Sequence, residues 1–587
     1  MKPNFPIFIW DILGNEKSYK LMITSGFLMA NRSKHYLNFI NEIDVSVFRK
    51  LYYIGVVLGL ILRIFYALTG TGIYHPDEIF QSLEMGHYIV YGYGFVPPEF
   101  QLSNPDTPSY AKARSWIIPL FFAAIFWIAK VLHLPYWSVT LPLIRLIMAC
   151  ISFMLIPATK RLGDVISQDK KIGYTSGFLV AIWWKIAYIT TRPLFNVFFL
   201  PIFIYAIATF YERRLSAASE DETIKEKLVY FIGFGIATYV RIDFLIILFS
   251  MAVVHQVFDI MEGKKEQFLE DLSVVLTPSL GGWIVGMSID AFMYEGIQDF
   301  GIVPVQWFKF NVLEGNSDSF GVAPFGWYAY RLVIENGLGL ISVLLLSFLF
   351  FMGNVYFRRR KIFDQFFPSH HLTKEFVRLM LSIFLGWLLY ETPWRAGLLF
   401  WNSASHKEER FMMNIYVIYF VAISMFIFLF SEFLENVLSK LQKVPKGKIP
   451  NFHPQGIYNL TVFLFIFSIT FSSFVHMYYT PVFQFGSDIN AAISYVGQQD
   501  DLEGLIIVER WFLTGAYTYL HNDVPIYWVN STYTLELKTA LNQGTYNYIV
   551  LPRYRYFEMD DLFETLVEDG WFIIKIFEGK TEVWIKA

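Results

Sequence analysis

A polytopic bundle of membrane-spanning helices followed by a small soluble α/β domain is the fold class this sequence predicts, on three observations. Of 587 residues, 55% are hydrophobic and 17% charged, and the mean hydropathy is +0.42, more apolar and less charged than soluble chains of this length. Nearly uncharged runs of about the 20 residues that a bilayer requires recur from Leu51 to the region of Met477. From about Ser487 to Ala587 the polarity is ordinary.

The first 50 residues carry Lys17, Lys20, Arg32, Lys34, Arg49 and Lys50 without the apolar core and small-residue cleavage pattern of a signal peptide, so 1–50 is expected to be a cytoplasmic leader. Residues 51–480 are expected to form the membrane domain. Its candidate spans are 51–69, 116–134, 138–158, 173–190, 195–210, 228–258, 272–294, 334–356, 375–393, 411–431 and 457–477, which implies about 10 to 13 crossings. Basic short loops mark the cytoplasmic side: Arg358-Arg359-Arg360-Lys361 and the segment Lys440 to Lys448 join the leader there. The loops 70–113, 295–333 and 394–410 then lie outside.

Counted one by one, those spans would put Lys160-Arg161, Lys170-Lys171 and Arg213-Arg214 outside as well. The conflict disappears if Leu228 to Phe258 is two short helices meeting outside near Arg241 and Asp243, and if 116–158 crosses once with 116–134 partly re-entrant. Charges in the middle of a lipid-facing helix are costly, which supports the break. The end of the chain, 481–587, alternates apolar strands at Gly504 to Val508, Val524 to Val529, Tyr548 to Leu551 and Trp571 to Phe577 with helical patterns at 510–521 and 557–570. That rhythm predicts a small extracytoplasmic α/β unit.

A net charge of -3 offers no field for nucleic acid. Cys150 is the only cysteine, so there is neither an intrachain disulfide nor a cysteine metal site. No Asp-x-Asp, His-Glu-x-x-His or phosphate-binding Gly-x-x-x-x-Gly-Lys-Ser/Thr pattern occurs. No metal and no cofactor is therefore expected.

What remains is a set of ionisable clusters at the predicted outer ends of the spans. His75-Pro76-Asp77-Glu78 follows the first span. Proline and acids suit the first turn of a helix on capping grounds alone, yet a partly desolvated carboxylate there could also deprotonate a hydroxyl as a general base. On that helix Asp77 and Gln81 share a face. Arg114-Ser115 opens the next apolar segment, either as an interfacial anchor or as a phosphate contact. Arg192, in the break Thr191-Arg192-Pro193-Leu194-Phe195-Asn196, could offer a phosphate a bidentate fork. Arg241 could do the same or pair with Asp243. The run His406-Lys407-Glu408-Glu409-Arg410-Phe411 is a solvated helix end or a charged seat for a phosphate ester.

In order along the chain, these pieces resemble glycosyltransferase family 22, the GT-C superfamily mannosyltransferases that include the GPI-anchor and ALG-type enzymes using dolichyl-phosphate mannose. The resemblance rests on His75-Pro76-Asp77-Glu78 with Arg114-Ser115, Thr191 to Asn196, Arg241, Asp290 leading into Trp307-Phe308-Lys309-Phe310-Asn311-Val312 and Gly321 to Tyr328, and His406 to Phe411. It implies an inverting, metal-independent transfer of mannose or a similar hexose from a polyprenyl- or dolichyl-phosphate donor to a hydroxyl of a lipid-linked glycan or glycolipid.

Asp77 would be the base with His75 and Glu78 beside it. Arg114, Arg192, Arg241, His406, Lys407 and Arg410 would meet the donor phosphate, and Gln81, Asn311 and Trp327 would meet acceptor or sugar. The active site would face the lumen of the endoplasmic reticulum in a eukaryote or the outside of the plasma membrane in a prokaryote. Pro193-Leu194-Phe195 departs from the family's usual Thr-Leu-Ser. Alternatives are a protein O-mannosyltransferase or lipid A sugar transferase of the same superfamily, and a transporter for lipid-linked glycans.

Overall fold

The computed structural model describes residues 44–102, 111–216, 223–314, parts of 316–347, and 374–391, 407–442, 454–479, 486–529, 534–557 and 562–586. Most of the leader, the span expected at 334–356, the Arg358 cluster and most of the loop 394–410, His406 included, lie outside the described residues.

Seven helices among the described residues are long and apolar enough to cross a membrane: Val45–Thr69, Tyr136–Ser167, Phe195–Leu215, Ile242–Met261, Leu269–Met293, Glu409–Ser439 and Gly456–Tyr478. The first turns Ile54, Val57, Ile61, Phe65 and Leu68 outward, as a lipid-facing stripe does. Its inner face carries Gly55 and Gly59. A Cβ at Gly55 would stand 2.5 Å from the Phe178 ring and one at Gly59 2.9 Å from the Ala181 carbonyl oxygen, so small residues set this close helix crossing. Arg63 on the same face is buried and donates to Ser152 Oγ (2.9 Å) and to the carbonyls of Gly59 (3.1 Å) and Ala181 (3.0 Å).

The helix Ile117–Val131, at 15 residues, is shorter than the roughly 20 that a bilayer demands, and the long helix Tyr136–Ser167 follows it. The run 228–258 is broken at Arg241, whose backbone is extended (φ -141°, ψ 111°) between Ala237–Val240 and Ile242–Met261. The stretch expected as one span at 173–190 is broken too, at extended Trp183 between Lys170–Ile182 and Trp184–Ile189. Ser473 mends that break: its hydroxyl donates to the Ile182 carbonyl (2.9 Å) and accepts from Trp184 N–H (2.9 Å). Backbone groups freed inside a membrane need such partners. Trp183 and Trp184 are buried in the bundle.

The basic clusters meet at one end of the bundle, where Arg161 pairs with Glu212, Lys160 with Asp164, and Arg214 with Asp271 and Asp259. At the other end converge the segments after Thr69, before Ile117, between Thr191 and Asn196, around Arg241 and before Met413. Contacts prove the convergence: Arg192 reaches Gly70, Asn196 reaches Asp243, and Arg410 reaches Asp77.

The C-terminal domain holds a five-stranded sheet in the order β2-β1-β3-β5-β4, with β1 Leu505–Ile507, β2 Ile526–Trp528, β3 Tyr548–Pro552, β4 Trp571–Phe577 and β5 Thr581–Lys586. Strands β1, β2 and β3 are parallel, joined through the helices Ala516–Leu520 and Thr534–Asn542, and β5 runs antiparallel to β3 and β4. The sequence reading missed β5. Residues 510–521 split into a 3₁₀ turn, Trp511–Leu513, and Ala516–Leu520, and the expected 557–570 helix is Leu562–Glu568.

This domain docks on the loop that follows Val45–Thr69 through buried polar groups. The Glu84 carboxylate accepts from Thr518 Oγ1 (2.6 Å), Thr518 N–H (2.8 Å), Phe95 N–H (2.9 Å) and Tyr517 N–H (3.3 Å). His87 Nε2 lies 3.0 Å from His521 Nδ1, and the His521 ring stacks on Tyr136 at 3.5 Å between centroids. Asn490 donates to the Thr71 carbonyl (3.1 Å).

The dock carries a pH dependence whose sign follows from these groups. Burial pushes His87 down to about 3, helped by His521, and pushes His521 down to about 4. Both imidazoles therefore favour the docked state above the unfolded value of 6.5 and lose that contribution as pH falls. Burial pushes Glu84 up to about 7, which favours docking as pH falls, but it is one group against two. Lowering the pH from about 7 to about 5 should speed amide exchange, corrected for intrinsic rates, in residues 486–529. His521→Leu should flatten that response. Equal protection at both pH values would refute the assignment.

Candidate active site

The first loop is shaped by its own chemistry. After Pro76 the backbone winds into a π-helical turn, Glu78–Leu83, that leads into the helix Glu84–Tyr91. The Asp77 N–H donates to His75 Nδ1 (3.1 Å), which makes Nδ1 the acceptor and leaves Nε2 to carry the ring hydrogen. Nε2 donates to Glu408 Oε1 at 3.1 Å. Arg410 Nη1 donates to Asp77 Oδ2 at 2.7 Å, and Arg410 Nε donates to the Glu408 carboxylate. A closed ring of His75, Glu408, Arg410 and Asp77 thus joins the first loop to the 3₁₀ turn Glu409–Met412 that opens the helix Met413–Gln442. Burial pushes the Asp77 carboxyl up, but the charge of Arg410 beside it leads the interactions that outweigh burial and hold it well below the usual carboxylate range. Asp77 stays ionised at any physiological pH.

Arg114 approaches the ring from the next segment. Its backbone is pinned: Tyr294 Oη donates to the Arg114 carbonyl (2.6 Å), and Ser115 Oγ and Trp116 N–H donate to Asp290 Oδ1 (3.1 and 2.7 Å). Tyr239 Oη donates to the other Asp290 oxygen (2.6 Å), and Lys112 pairs with Asp299 at 3.0 Å. The guanidinium itself makes no side-chain hydrogen bond or ion pair among the described residues, and its Nε is buried without a partner. Burial and then the like charge of Arg241 pull its pKa down, while Asp77 and Glu99 pull it up. An arginine pinned by its backbone and open at its fork is suited to an anionic ligand.

Arg241 pairs with Asp243 through Nε (2.9 Å) and Nη2 (2.7 Å), the alternative its spacing had left open. It nonetheless stands at the ring, since Arg241 and Arg410 lie over the Phe411 ring at 5.5 and 5.2 Å from its centroid.

Other expected site residues are placed differently. Arg192 donates to the carbonyls of Gly70 (2.7 Å) and Gly72 (3.1 Å) and to Tyr188 Oη (2.9 Å), and lies 3.8 Å from Glu78. Glu78 accepts from Tyr74 N–H (2.7 Å). These two residues brace the entry of the loop. Lys407 is fully buried against Glu391 (2.6 Å) and donates to the Pro324 carbonyl (2.7 Å). Asn311 donates to the Trp307 carbonyl one turn back (2.9 Å). Trp327 lies under Arg331, 5.1 Å from its ring centroid, and Arg331 reaches Glu409 at 3.5 Å. Gln81 Nε2 donates to Glu99 Oε1 at 2.9 Å.

Sequence reading passed over Glu408 and Glu99. Glu408 sat inside a run read as a seat for a phosphate ester, and Glu99 lies in the loop 70–113 outside every motif. Neither carries a local signal of which charge it will meet.

The Lys407–Glu391 pair yields a discriminating expectation. Glu391 also accepts from Gly326 N–H (3.0 Å) and Tyr328 N–H (3.0 Å), so Lys407→Met strands a buried carboxylate and should cost about 3–5 kcal/mol. The thermal transition of detergent-solubilised protein should fall sharply, and Lys407→Met with Glu391→Gln should recover part of it. An unchanged transition with a raised donor KM would instead make Lys407 a phosphate contact.

Two solved structures share this fold. ArnT from Cupriavidus metallidurans, bound to undecaprenyl phosphate, aligns at a TM-score of 0.52 and 9% identity over 92% of this chain and 98% of its own. The archaeal oligosaccharyltransferase AglB from Archaeoglobus fulgidus, in complex with an inhibitory peptide and a dolichol-phosphate, aligns at 0.50 and 11% identity over 92% of this chain and 74% of its own. No curated protein matches the chain significantly. Residues 54–521, which include the whole ring of His75, Asp77, Glu408 and Arg410, match the Alg9-like mannosyltransferase family, and the chain therefore belongs to that family of membrane glycosyltransferases.

Proposed function

We propose that this glycosyltransferase moves mannose, or a similar hexose, from a polyprenyl- or dolichyl-phosphate donor to a hydroxyl of a lipid-linked glycan or glycolipid, with inversion and without a metal. The observation that carries the reading is the ring in which the Asp77 carboxylate lies 2.7 Å from Arg410, with Arg114 and Arg241 at its edge. Base and phosphate-binding cations are thereby adjacent, at the ends of apolar spans. A polyprenyl tail can remain in lipid while its sugar reaches this cluster.

In the proposed step the acceptor oxygen attacks C1 of the donor sugar from the face opposite the phosphate. The C1–O bond to phosphate breaks with its electron pair left on the phosphate oxygen, the new C1–O bond forms, and the hydroxyl proton passes to Asp77. Arg114 and Arg410, with Arg241 behind them, stabilise the charge that grows on the leaving phosphate. An ion-paired carboxylate is a weak base, but an anion that shares the charge of Arg410 restores basicity to Asp77. Binding of the donor thus favours the proton transfer.

Asp77→Asn should lower transfer by about 10²–10⁴-fold, assayed with purified protein and a polyprenyl-phosphate sugar, while Glu408 keeps Arg410 paired, so the thermal transition should fall only slightly and the variant stay folded. Normal turnover would remove Asp77 as base. The outer location of the site is tested by thiol labelling. The probe belongs at Leu102, which is 50% exposed, on a Cys150→Ser background. Leu102→Cys should react with an impermeant reagent applied from outside the cell or from the lumenal side. Reaction only from the cytoplasmic side would invert the orientation.

A further inference from the structure

We propose that Glu99 is a specificity-determining residue at the acceptor end of the site, binding a second hydroxyl of a carbohydrate acceptor next to the hydroxyl that attacks. This rests on the assignment of Asp77 as the residue facing the attacking hydroxyl. The geometry begins on the first loop, where Gln81 follows Asp77 by one turn. Gln81 is buried, with 2% of its surface exposed. Its Nε2 is used on Glu99, while its Oε1 is buried with no partner. A buried amide oxygen without a donor is costly, and a sugar hydroxyl is a donor of the right kind.

Glu99 is built to be held still. Its carbonyl accepts from Ala113 N–H (3.0 Å), and Gln81 fixes one oxygen of its side chain. Among the described residues Gln81 is the only side chain hydrogen-bonded to that carboxylate, and no cation pairs with it within 4 Å. The unengaged carboxylate lone pairs and Gln81 Oε1 are thus fixed hydrogen-bond acceptors beside Asp77. Such an arrangement suits two neighbouring hydroxyls of one pyranose, the attacking one at Asp77 and its neighbour at Glu99 and Gln81. A lipid phosphate, which offers only acceptors and negative charge, is repelled by it, so the same carboxylate keeps the donor phosphate at the arginine end.

The titration of Glu99 gives the test a second readout. Burial raises its pKa, the charge of Asp77 adds to this, and Arg114 and the Gln81 amide work against it; the net direction is up. The Tyr294 hydroxyl is the other titratable group turned toward it, and it stays neutral because burial raises its pKa far above the ordinary tyrosine range. Acceptor affinity should therefore weaken as Glu99 protonates, above the ordinary glutamic range, while Asp77 remains ionised.

The experiment uses the purified full chain, a polyprenyl-phosphate mannose donor, a short-chain lipid mannoside acceptor, and the set of monodeoxy analogues of that acceptor. Wild-type protein should discriminate against one monodeoxy analogue by about 10–100-fold in kcat/KM, the worth of a hydrogen bond to a charged group. Glu99→Gln should raise acceptor KM by a similar factor, leave donor KM unchanged, lose the acid limb of acceptor binding, and no longer discriminate against that analogue. Glu99→Asp, which keeps the charge on a shorter arm, should fall between. If Glu99→Gln keeps the full discrimination against every analogue, or if it raises donor KM instead, the proposal is wrong. Normal turnover by Asp77→Asn would instead sink the assignment beneath it, so the two failures are separable.

Discussion

The ion pair between Arg410 and Asp77 joins the first loop to the start of a helix 333 residues later, and the rest of the cluster is arranged around it. A buried carboxylate and a buried guanidinium each need a partner, because either alone would cost several kcal/mol. Meeting that need fixes where the helix Met413–Gln442 begins relative to the end of Val45–Thr69. Glu408 adds a second acid on Arg410 and takes the hydrogen of His75, so the turn Glu409–Met412 and the His75 loop are held at several points. Arg114 and Arg241 gather at this cluster without joining its hydrogen bonds.

The same demand, that polar groups away from water be answered internally, explains the breaks in the helices. Trp183 interrupts one stretch and Ser473 takes up both freed backbone groups. Arg241 interrupts another, and its guanidinium pairs with Asp243, which also accepts from Asn196. Each break turns the chain where a side chain from a different helix can repair it. The second break also delivers an arginine to the site.

The C-terminal domain extends the same logic beyond the membrane. Glu84 and His87 stand on the helix that follows the Asp77 turn, and their partners Thr518 and His521 belong to the domain. Docking therefore bears on the loop that carries Asp77. The domain thus holds the first loop through Glu84, His87 and Thr71.

Composition and periodicity by themselves determined the membrane bundle, the separate α/β end, the break at Arg241 and the short helix before Tyr136, because each follows from how many apolar residues stand in a row and where a charge would meet lipid. The motifs located the ionisable cluster: Asp77, Arg114 and Arg410 were all legible as ionisable groups at span ends. Which charge meets which was decided only by tertiary structure. Arg192 and Arg114 look alike in sequence, yet one is consumed by Gly70, Gly72 and Tyr188 and the other keeps its fork open. Lys407 and Arg410 are three residues apart, yet one is buried on Glu391 and the other reaches Asp77. The worth of a charge depends on its burial and its partner, and both are properties of chain segments that are distant in sequence and adjacent in space.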